Sequence, residues 1–191
     1  MNSYILENLD ESYYTFKAIK EDKNIIEQIN IISNICYQCL LKGKKILIAG
    51  NGGSACDSQH FAGELVGRFK LERKGLAAIS LSDSNSAITA IANDYGYEYI
   101  FSRQIEAIGE KGDILIVFST SGNSKNIING VKVANEMGIK TIGFTGKTGG
   151  EIIKYCDPTI KIPSNETARI QEGHILIIHV ICGIIERYFC K

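Results

Sequence analysis

Two aliphatic runs, each followed by a turn of small residues and an amphipathic segment, limit the folds open to this chain. The first reads KKILIAGNGGSACDSQHFAGELVGRF from Lys44, and the second reads DILIVFSTSGNSKNIINGVKVANEMG from Asp113. Each predicts a buried strand, a tight turn and a helix, with Ser54 or Ser124 placed to cap that helix. Backbone N–H groups and serine hydroxyls in such a turn lie beside the positive end of the helix dipole, which favours anions. We therefore expect the two loops to bind a phosphorylated ligand.

Strand and helix patterns alternate from Lys44 onward, which is typical of a parallel sheet covered on both faces. We predict an α/β fold with a doubly wound, flavodoxin-like, five-stranded parallel sheet. The chain is expected to be one domain over residues 1–191, with a helical lead-in at 1–43, an α/β core at 44–165 and a C-terminal helix at 166–191. The strands are predicted near residues 45–49, 76–81, 113–118, 140–144 and 158–162.

The positions of the two loops predict where a ligand binds. In a doubly wound sheet, ligands sit beyond the carboxyl ends of the strands where the strand order reverses, commonly between the first and third strands. The two loops follow those two predicted strands, so we expect one site between them. The simpler interpretation, that serine and glycine only fill tight turns, stays open at this point.

The charge balance argues against a nucleic-acid-binding protein. Lysine plus arginine equals aspartate plus glutamate at 21 each, so the chain has no net basic field. The N-terminus, MNSYILENLDESYY, lacks the basic start and apolar core of a signal peptide, and no apolar run reaches the roughly 18 residues of a membrane span. We expect a cytoplasmic protein without nucleic-acid or membrane partners. The six cysteines are expected to be reduced, with Cys36 and Cys39 packed in a helical core.

The first loop also fits the GxGxxA form of the dinucleotide-binding fingerprint at residues 50–55. That motif needs an acid about 20 residues later, at the end of the second strand. The nearest acid after the predicted second strand is Asp83, which lies about thirty residues beyond the loop. A nicotinamide or flavin enzyme is therefore a weak alternative, and the missing GK[ST] excludes a P-loop.

His60 and Glu64 are four residues apart on the helix predicted after the first loop, so their side chains face the same way. A solvated polar face is the simpler interpretation, but the neighbouring anion loop favours acid-base or metal chemistry. His179 interrupts the apolar run ILIIHVIC in the C-terminal helix and needs a partner there. A core histidine bonded to a backbone carbonyl is the alternative, and for His174 it is the favoured one.

Four segments together carry a resemblance to a known family: AGNGGSACDSQHFAGEL at 49–65, AIANDYGYEYIFSRQ at 90–104, FSTSGNS at 118–124 and TARIQEGHILIIH at 167–179. In these motifs the chain resembles the bacterial sedoheptulose-7-phosphate isomerases, or phosphoheptose isomerases, of the sugar isomerase (SIS) domain family. The resemblance implies a homotetramer, one Zn²⁺ per subunit, and conversion of sedoheptulose 7-phosphate to D-glycero-D-manno-heptose 7-phosphate for heptose-containing lipopolysaccharide, capsule or another surface polysaccharide. A non-catalytic SIS-domain protein that binds a replication initiator or another partner is the alternative.

The resemblance also implies site residues, carried over position by position. Glu64 is expected to act as the base, and His179 as the acid, in moving a proton between neighbouring carbons through an enediolate. Because a carboxylate bound to zinc is a poor base, the role of Glu64 as a zinc ligand competes with its role as the general base. The implied zinc ligands are His60, Glu64, Gln171 and His179. The implied substrate-binding residues are Asn51, Gly52, Gly53, Ser54, Glu64, Arg68, Asn93, Asp94, Ser119, Thr120, Ser121, Ser124 and Gln171.

Gln171 and His179 cannot easily bind one ion from a single straight helix. They are eight residues apart, which is about 12 Å along a helix axis, whereas zinc bonds its ligand atoms at about 2.0–2.2 Å. Either the C-terminal helix begins after Gln171, or the two ligands come from different subunits. We favour the second explanation, which places each site at a subunit interface.

Overall fold

Five parallel strands form the centre of the computed structural model, which describes residues 1–190. They pair in the order β2-β1-β3-β4-β5, so the strand order reverses between β1 and β3. This confirms the predicted doubly wound sheet, and each predicted strand end lies within two residues of the observed one. Lys191, the last residue of the predicted C-terminal segment, lies outside the described residues. The strands are β1 Ile46–Gly50, β2 Ala78–Ser80, β3 Ile114–Ser119, β4 Lys140–Thr145 and β5 Thr159–Lys161.

Helices cover both faces of this sheet. Two short 3₁₀ turns, Tyr97–Tyr99 and Glu151–Lys154, complete the regular structure of the described residues. The helices are α1 Asn2–Glu21, α2 Lys23–Leu41, α3 Gly53–Val66, α4 Asn85–Asp94, α5 Ser102–Ile108, α6 Lys125–Glu136 and α7 Thr167–Phe189.

Alternate residues of the central strands supply two separate apolar cores. In β1, Ile46 and Ile48 pack in the core that includes α2, α3 and α7, whereas Leu47 and Ala49 pack in the core that includes α5 and α6. All four are buried, and burying a side chain of leucine or isoleucine size stabilises a fold by about 1.5–3 kcal/mol. The near-continuous apolar sequence of β1 is the consequence of having helices on both faces.

The predicted helical lead-in consists of two helices. Asp22 separates them, because its carboxylate accepts hydrogen bonds from the backbone N–H groups of Asn24 and Ile25 at the start of α2. Cys36 and Cys39 are free thiols buried on α2, as predicted. Helix α1 packs against α2 and α7 but leaves much of its apolar surface open, including Leu9 at 62% exposure.

Helix α7 is a core helix, and it begins at Thr167, four residues before Gln171. The alternative that this helix begins after Gln171 is therefore wrong. By length and composition α7 could cross a membrane, because an 18-residue window of it has a mean hydropathy of 1.4. Its apolar residues do not form one contiguous run, because polar residues such as Glu172, His174 and His179 interrupt them. Half of that window is buried inside the fold, where α7 packs against α1, α2 and α3. This burial accounts for its apolar character.

Candidate active site

The two small-residue loops meet beyond the carboxyl ends of β1 and β3, where the strand order reverses. The first loop joins β1 to α3, and the second joins β3 to α6. A cleft lies between them, and a side chain from the 3₁₀ turn at Tyr97–Tyr99 closes one of its sides. The geometry therefore places one cleft at the switch point of the sheet. Its lining residues are Asn51, Tyr97, Glu98, Ser124, Lys125 and Asn126.

The first loop depends on glycine at two positions. Gly52 has a φ of 55°, which L side chains rarely adopt, and it forms the N-cap position of α3. A Cβ atom on Gly53 would collide with the side-chain amide of Gln171. Because the turn at Gly52 starts the helix early, Ser54 is buried inside the first turn of α3 instead of capping it. The prediction that Ser54 caps this helix is therefore wrong.

The second loop gathers three hydroxyl groups in front of α6. Ser124 occupies the N-cap position of α6, but its hydroxyl oxygen lies 3.2 Å from that of Ser119 instead of capping a helix N–H group. Ser121 is exposed, and its hydroxyl accepts a hydrogen bond from the backbone N–H of Asn123 at 3.1 Å. The Thr120 carbonyl ties the loop to the strand end of β4 by accepting from the N–H of Gly146. The hydroxyls and the positive end of α6 are thus available to an anion.

Two residues that were not predicted from the sequence, Asn126 and Tyr97, contact Asn51 of the first loop. The side chains of Asn51 and Asn126 form a mutual amide pair, with hydrogen bonds of 2.9 and 2.8 Å. The Tyr97 hydroxyl donates to the same Asn51 oxygen at 3.0 Å. Asn126 is 3% exposed on an otherwise apolar face of α6, and a polar residue at such a position was the available signal.

Three further implied substrate residues, Asn93, Asp94 and Arg68, are exposed and are not among the residues that line the cleft. Asn93 and Asp94 end α4, shortly before Tyr97, and the Asn93 amide donates to the Asp94 carboxylate at 2.8 Å. Arg68 lies beyond the far end of α3, is 60% exposed, and pairs with Glu72 at 3.6 Å. In this chain, Arg68 is therefore a surface residue and does not line the cleft.

Three of the four implied zinc ligands meet between α3 and α7. His60 Nε2 lies 3.1 Å from a carboxylate oxygen of Glu64 and 3.0 Å from Nε2 of His179. The ligand atoms all lie within 4.8 Å of one another, and within residues 1–190 they form the one cluster of three potential metal-binding side chains. Glu64 is partly buried, whereas His60 is more open.

The chemistry of this donor set fits a zinc ion. Two imidazole Nε2 atoms that face each other at 3.0 Å need a proton or a cation between them, because both lone pairs would otherwise repel. Two histidines and one carboxylate are a donor set that catalytic zinc uses, with a further position left for another ligand or the substrate. His60, Glu64 and His179 are the residues of this chain that would hold the ion.

Gln171 is not close to this cluster within the same chain. Its amide lies against Gly53 at the start of α3, whereas His60 lies seven residues further along that helix. Seven residues correspond to about 10 Å along a helix axis. One chain therefore brings Gln171 to the first loop and His179 to the cluster, and α7 spans the distance between them.

The loop after α3 holds an aromatic ring against His179. The carboxylate of Glu186, 1% exposed, accepts hydrogen bonds from the backbone N–H groups of residues 69–71 at 2.8–3.0 Å. Burial alone would raise the pKa of the Glu186 carboxyl, but these donors and Arg73 hold it below its ordinary value. The Phe69 ring is thereby stacked on the His179 imidazole, with centroids 5.6 Å apart and an interplanar angle of 19°. The stacking restricts the orientation of His179.

Two buried titratable groups lie on α3 and α7 outside the cluster. Asp57 lies three residues before His60, and burial raises the pKa of its carboxyl to about 6, although His60 acts to lower it. Sequence analysis missed Asp57. His174 is fully buried, its Nε2 faces the Thr145 carbonyl oxygen at 3.4 Å, and burial lowers its pKa to about 4. The interpretation of His174 as a core histidine is confirmed.

Known proteins are similar to this chain over most of its length. A sequence profile described as the SIS domain matches residues 10–146. The phosphoheptose isomerase of Aliarcobacter butzleri is 56% identical over 160 residues, which cover 84% of this chain and 85% of that protein. That of Clostridium acetobutylicum is 50% identical over 187 residues, covering 98% and 95%. The solved structure of a phosphoheptose isomerase from Neisseria gonorrhoeae superposes with a TM-score of 0.91 at 40% identity, over 97% of this chain and 98% of that one.

Proposed function

The chain belongs to the SIS-domain family of phosphoheptose isomerases, and we propose that it converts sedoheptulose 7-phosphate to D-glycero-D-manno-heptose 7-phosphate. The observation that carries the proposal is that Glu64 and His179 lie within 4.8 Å of each other in one chain that also carries the serine loop. An aldose-ketose isomerase needs a base, an acid and an anchor for the phosphate. This chain provides residues for all three roles.

The serine loop is proposed to anchor the phosphate. Ser119, Ser121 and Ser124 offer hydroxyls next to the positive end of α6, and a phosphate dianion accepts hydrogen bonds from such groups. Thr120 follows in the same loop. On the opposite side of the cleft is the first loop, with Asn51, Gly52 and Gly53. Asn93 and Asp94, at the end of α4, are proposed to approach the sugar from the side of the Tyr97 turn. The sugar would lie between the two loops, with its reactive end toward the histidine cluster.

Proton transfer is assigned to Glu64 and His179. The Glu64 carboxylate takes the proton from C1 of the ketose, while His179 donates a proton to the oxygen on C2. In the second half of the reaction His179 takes back the proton from the oxygen on C1, and Glu64 returns its proton to C2. The proton count is unchanged at the end of the cycle. Phe69 keeps the His179 ring oriented throughout.

We propose one Zn²⁺ per subunit, held by His60, Glu64 and His179 of one chain and by Gln171 of a neighbouring chain. When bound, the cation would stabilise negative charge on the oxygens of the enediolate. The assignment of Gln171 to a neighbour follows from the continuous helix α7, which keeps the chain's own Gln171 at Gly53. Ligation competes with proton transfer in both Glu64 and His179, because a carboxylate bound to zinc is a poor base and a ring nitrogen bound to zinc carries no proton; His179 would have to donate from its other ring nitrogen.

A homotetramer is the proposed assembly. The support within one chain is the large amount of open apolar surface on α1, which includes Tyr4, Ile5, Leu6 and Tyr13 at 50–66% exposure. Covering such a surface with further copies of the chain removes it from water and brings neighbouring helices to the histidine cluster. Sites at subunit interfaces follow from this arrangement.

The proposed cellular role is supply of heptose for lipopolysaccharide, capsule or another surface polysaccharide, from the cytoplasm. The balanced charge of 21 basic and 21 acidic residues fits a small-molecule enzyme without nucleic-acid partners. The alternative of a non-catalytic SIS-domain protein has no support, because the relatives at 44–56% identity carry the isomerase name.

Incubation of the purified protein with sedoheptulose 7-phosphate, followed by NMR, tests the proposed function. We expect the heptose 7-phosphate to form, the reaction to stop after zinc is removed with a chelator, and Zn²⁺ to restore it. The absence of product from zinc-loaded protein would contradict the proposed function. Full activity in zinc-free protein would contradict only the metal assignment.

A further inference from the structure

The side chains of Asn51, Tyr97 and Asn126 form a hydrogen-bond network at the edge of the cleft. One backbone group determines which atoms of the network donate and which accept. The Ile127 N–H donates to Asn126 Oδ1 at 2.9 Å, and a backbone N–H can only donate. This identifies the acceptor end of the Asn126 amide. Its other end is therefore the NH₂ group, which donates to Asn51 Oδ1 at 2.8 Å.

The orientation of the Asn51 amide is determined by its partners in the same way. Its oxygen receives two hydrogen bonds, from Asn126 Nδ2 and from the Tyr97 hydroxyl at 3.0 Å, which uses both lone pairs. One N–H of its NH₂ group donates to Asn126 Oδ1 at 2.9 Å, and the other N–H has no partner within the network. A flipped Asn51 amide would place its NH₂ group against the NH₂ group of Asn126, and its oxygen against the oxygen of Asn126. The network therefore leaves Asn51 with one free N–H and no free acceptor.

The turn that carries Tyr97 is itself anchored. Gly96 enters it with a φ of 108°, a conformation that favours glycine, and the Glu98 carbonyl accepts from the Asn129 amide of α6 at 3.1 Å. The Tyr97 hydroxyl thus reaches Asn51 from a fixed backbone, although its ring is exposed. Removing that hydroxyl alone should leave the fold intact.

We propose that Tyr97 and Asn126 are positioning residues that fix the Asn51 amide as a hydrogen-bond donor toward an oxygen of the bound sugar phosphate. The inference rests on the proposed function in one respect, that Asn51 contacts the substrate. It goes further by assigning the direction of that contact and the two side chains that impose it. The cleft therefore favours a substrate oxygen that accepts a hydrogen bond from Asn51 over a substrate group that can only donate one.

A double-mutant cycle with Tyr97→Phe and Asn51→Ala tests the inference. Tyr97→Phe should raise KM for sedoheptulose 7-phosphate roughly three- to tenfold, the effect of one neutral hydrogen bond, with kcat within about twofold. In the Asn51→Ala background the same change should leave KM unaltered, because Tyr97 acts only through Asn51. Tyr99→Phe, in the same short turn, is the matched control and should behave as wild type. An equal effect of Tyr97→Phe in both backgrounds, or no effect in either, would overturn the inference.

Failure of the proposed site gives a different pattern. If Asn51→Ala alone leaves KM unchanged, Asn51 is not at the substrate, and both the site assignment and this inference fall. If the wild type does not turn over sedoheptulose 7-phosphate, the proposed function fails. NMR of the Asn51 side-chain amide then tests the hydrogen-bond network with Tyr97 and Asn126 directly. Its two N–H signals should shift when sedoheptulose 7-phosphate is added to wild-type protein, and the shift should weaken in Tyr97→Phe. Signals that do not move would overturn the inference.

Discussion

His60 Nε2 lies 3.0 Å from His179 Nε2, although the two residues are 119 positions apart in the chain. The contact exists because α3 and α7 pack side by side on the same face of the sheet. Glu64, one turn beyond His60, completes the cluster at 3.1 Å. The proposed chemistry depends on this meeting of two helices.

Removal of a cluster histidine should abolish tight zinc binding. The wild type is expected to bind about one Zn²⁺ per chain, and His60→Ala or His179→Ala should lose most of it, because each takes away one of three same-chain ligands. Metal content after gel filtration, measured by mass spectrometry, checks this. His174→Gln is the matched control, since His174 lies on α7 but bonds the Thr145 carbonyl, and it should keep its zinc. Wild-type zinc content in His179→Ala would refute the ligand assignment.

Ser121→Ala should weaken binding of the phosphorylated substrate. A hydrogen bond to a charged group is worth about 1.5–3 kcal/mol, or roughly ten- to a hundredfold in affinity. Calorimetric titration with sedoheptulose 7-phosphate measures the loss. Unphosphorylated sedoheptulose serves as the control ligand, because its affinity should be the same for both proteins. An unchanged affinity for the phosphate ester would remove Ser121 from the phosphate site.

Mixed oligomers should reveal which chain supplies each ligand. Glu64 and His179 belong to one cluster, so mixing Glu64→Ala with His179→Ala subunits should restore no activity. Mixing Glu64→Ala with Gln171→Ala should restore some, because a site can then combine an intact cluster from one chain with Gln171 from the other. Subunits are mixed after reversible dissociation, and native mass spectrometry confirms the mixed oligomers. Recovery in the first mixture, or none in the second, would contradict the proposed division.

Acid should destabilise the protein partly through His174. Burial lowers the pKa of His174 to about 4, whereas an unfolded histidine titrates near 6.5. As the pH falls, the unfolded chain therefore binds a proton at this position before the folded chain does. The contribution of neutral, buried His174 to the free energy of unfolding is complete above pH 6.5 and is lost as the pH falls toward 4. The loss is on the order of 3 kcal/mol. Urea unfolding of zinc-free wild type and His174→Gln at several pH values should show a shallower decline in the variant, whereas parallel curves would contradict the prediction.

Local patterns were sufficient to predict most of the fold. Strands β1 and β3 were predictable because each is a short aliphatic run that ends in glycine or serine. The His60–Glu64 pair was predictable because residues four apart on a helix share a face. The error at Ser54 was also local, because Gly52 starts α3 earlier than a serine cap would.

Contacts between distant segments were not predictable from one sequence. Tyr97 and Asn126 reach Asn51 from 46 and 75 residues away, and the one signal in the sequence, a polar residue on the apolar face of α6 at Asn126, does not identify its partner. The position of Gln171 against Gly53 likewise depends on how α7 packs on α3. That Gln171 comes from a neighbouring chain stays a prediction.

Solvent exchange of the substrate's carbon-bound proton tests the central claim most directly. In D₂O, zinc-loaded wild-type protein should convert sedoheptulose 7-phosphate and introduce deuterium at the carbon that receives the proton. Glu64→Gln keeps the shape of the side chain but not its basicity, so it should fold, bind the substrate, and lose both isomerisation and exchange. Exchange by Glu64→Gln at the wild-type rate would show that another residue is the base and would contradict the account.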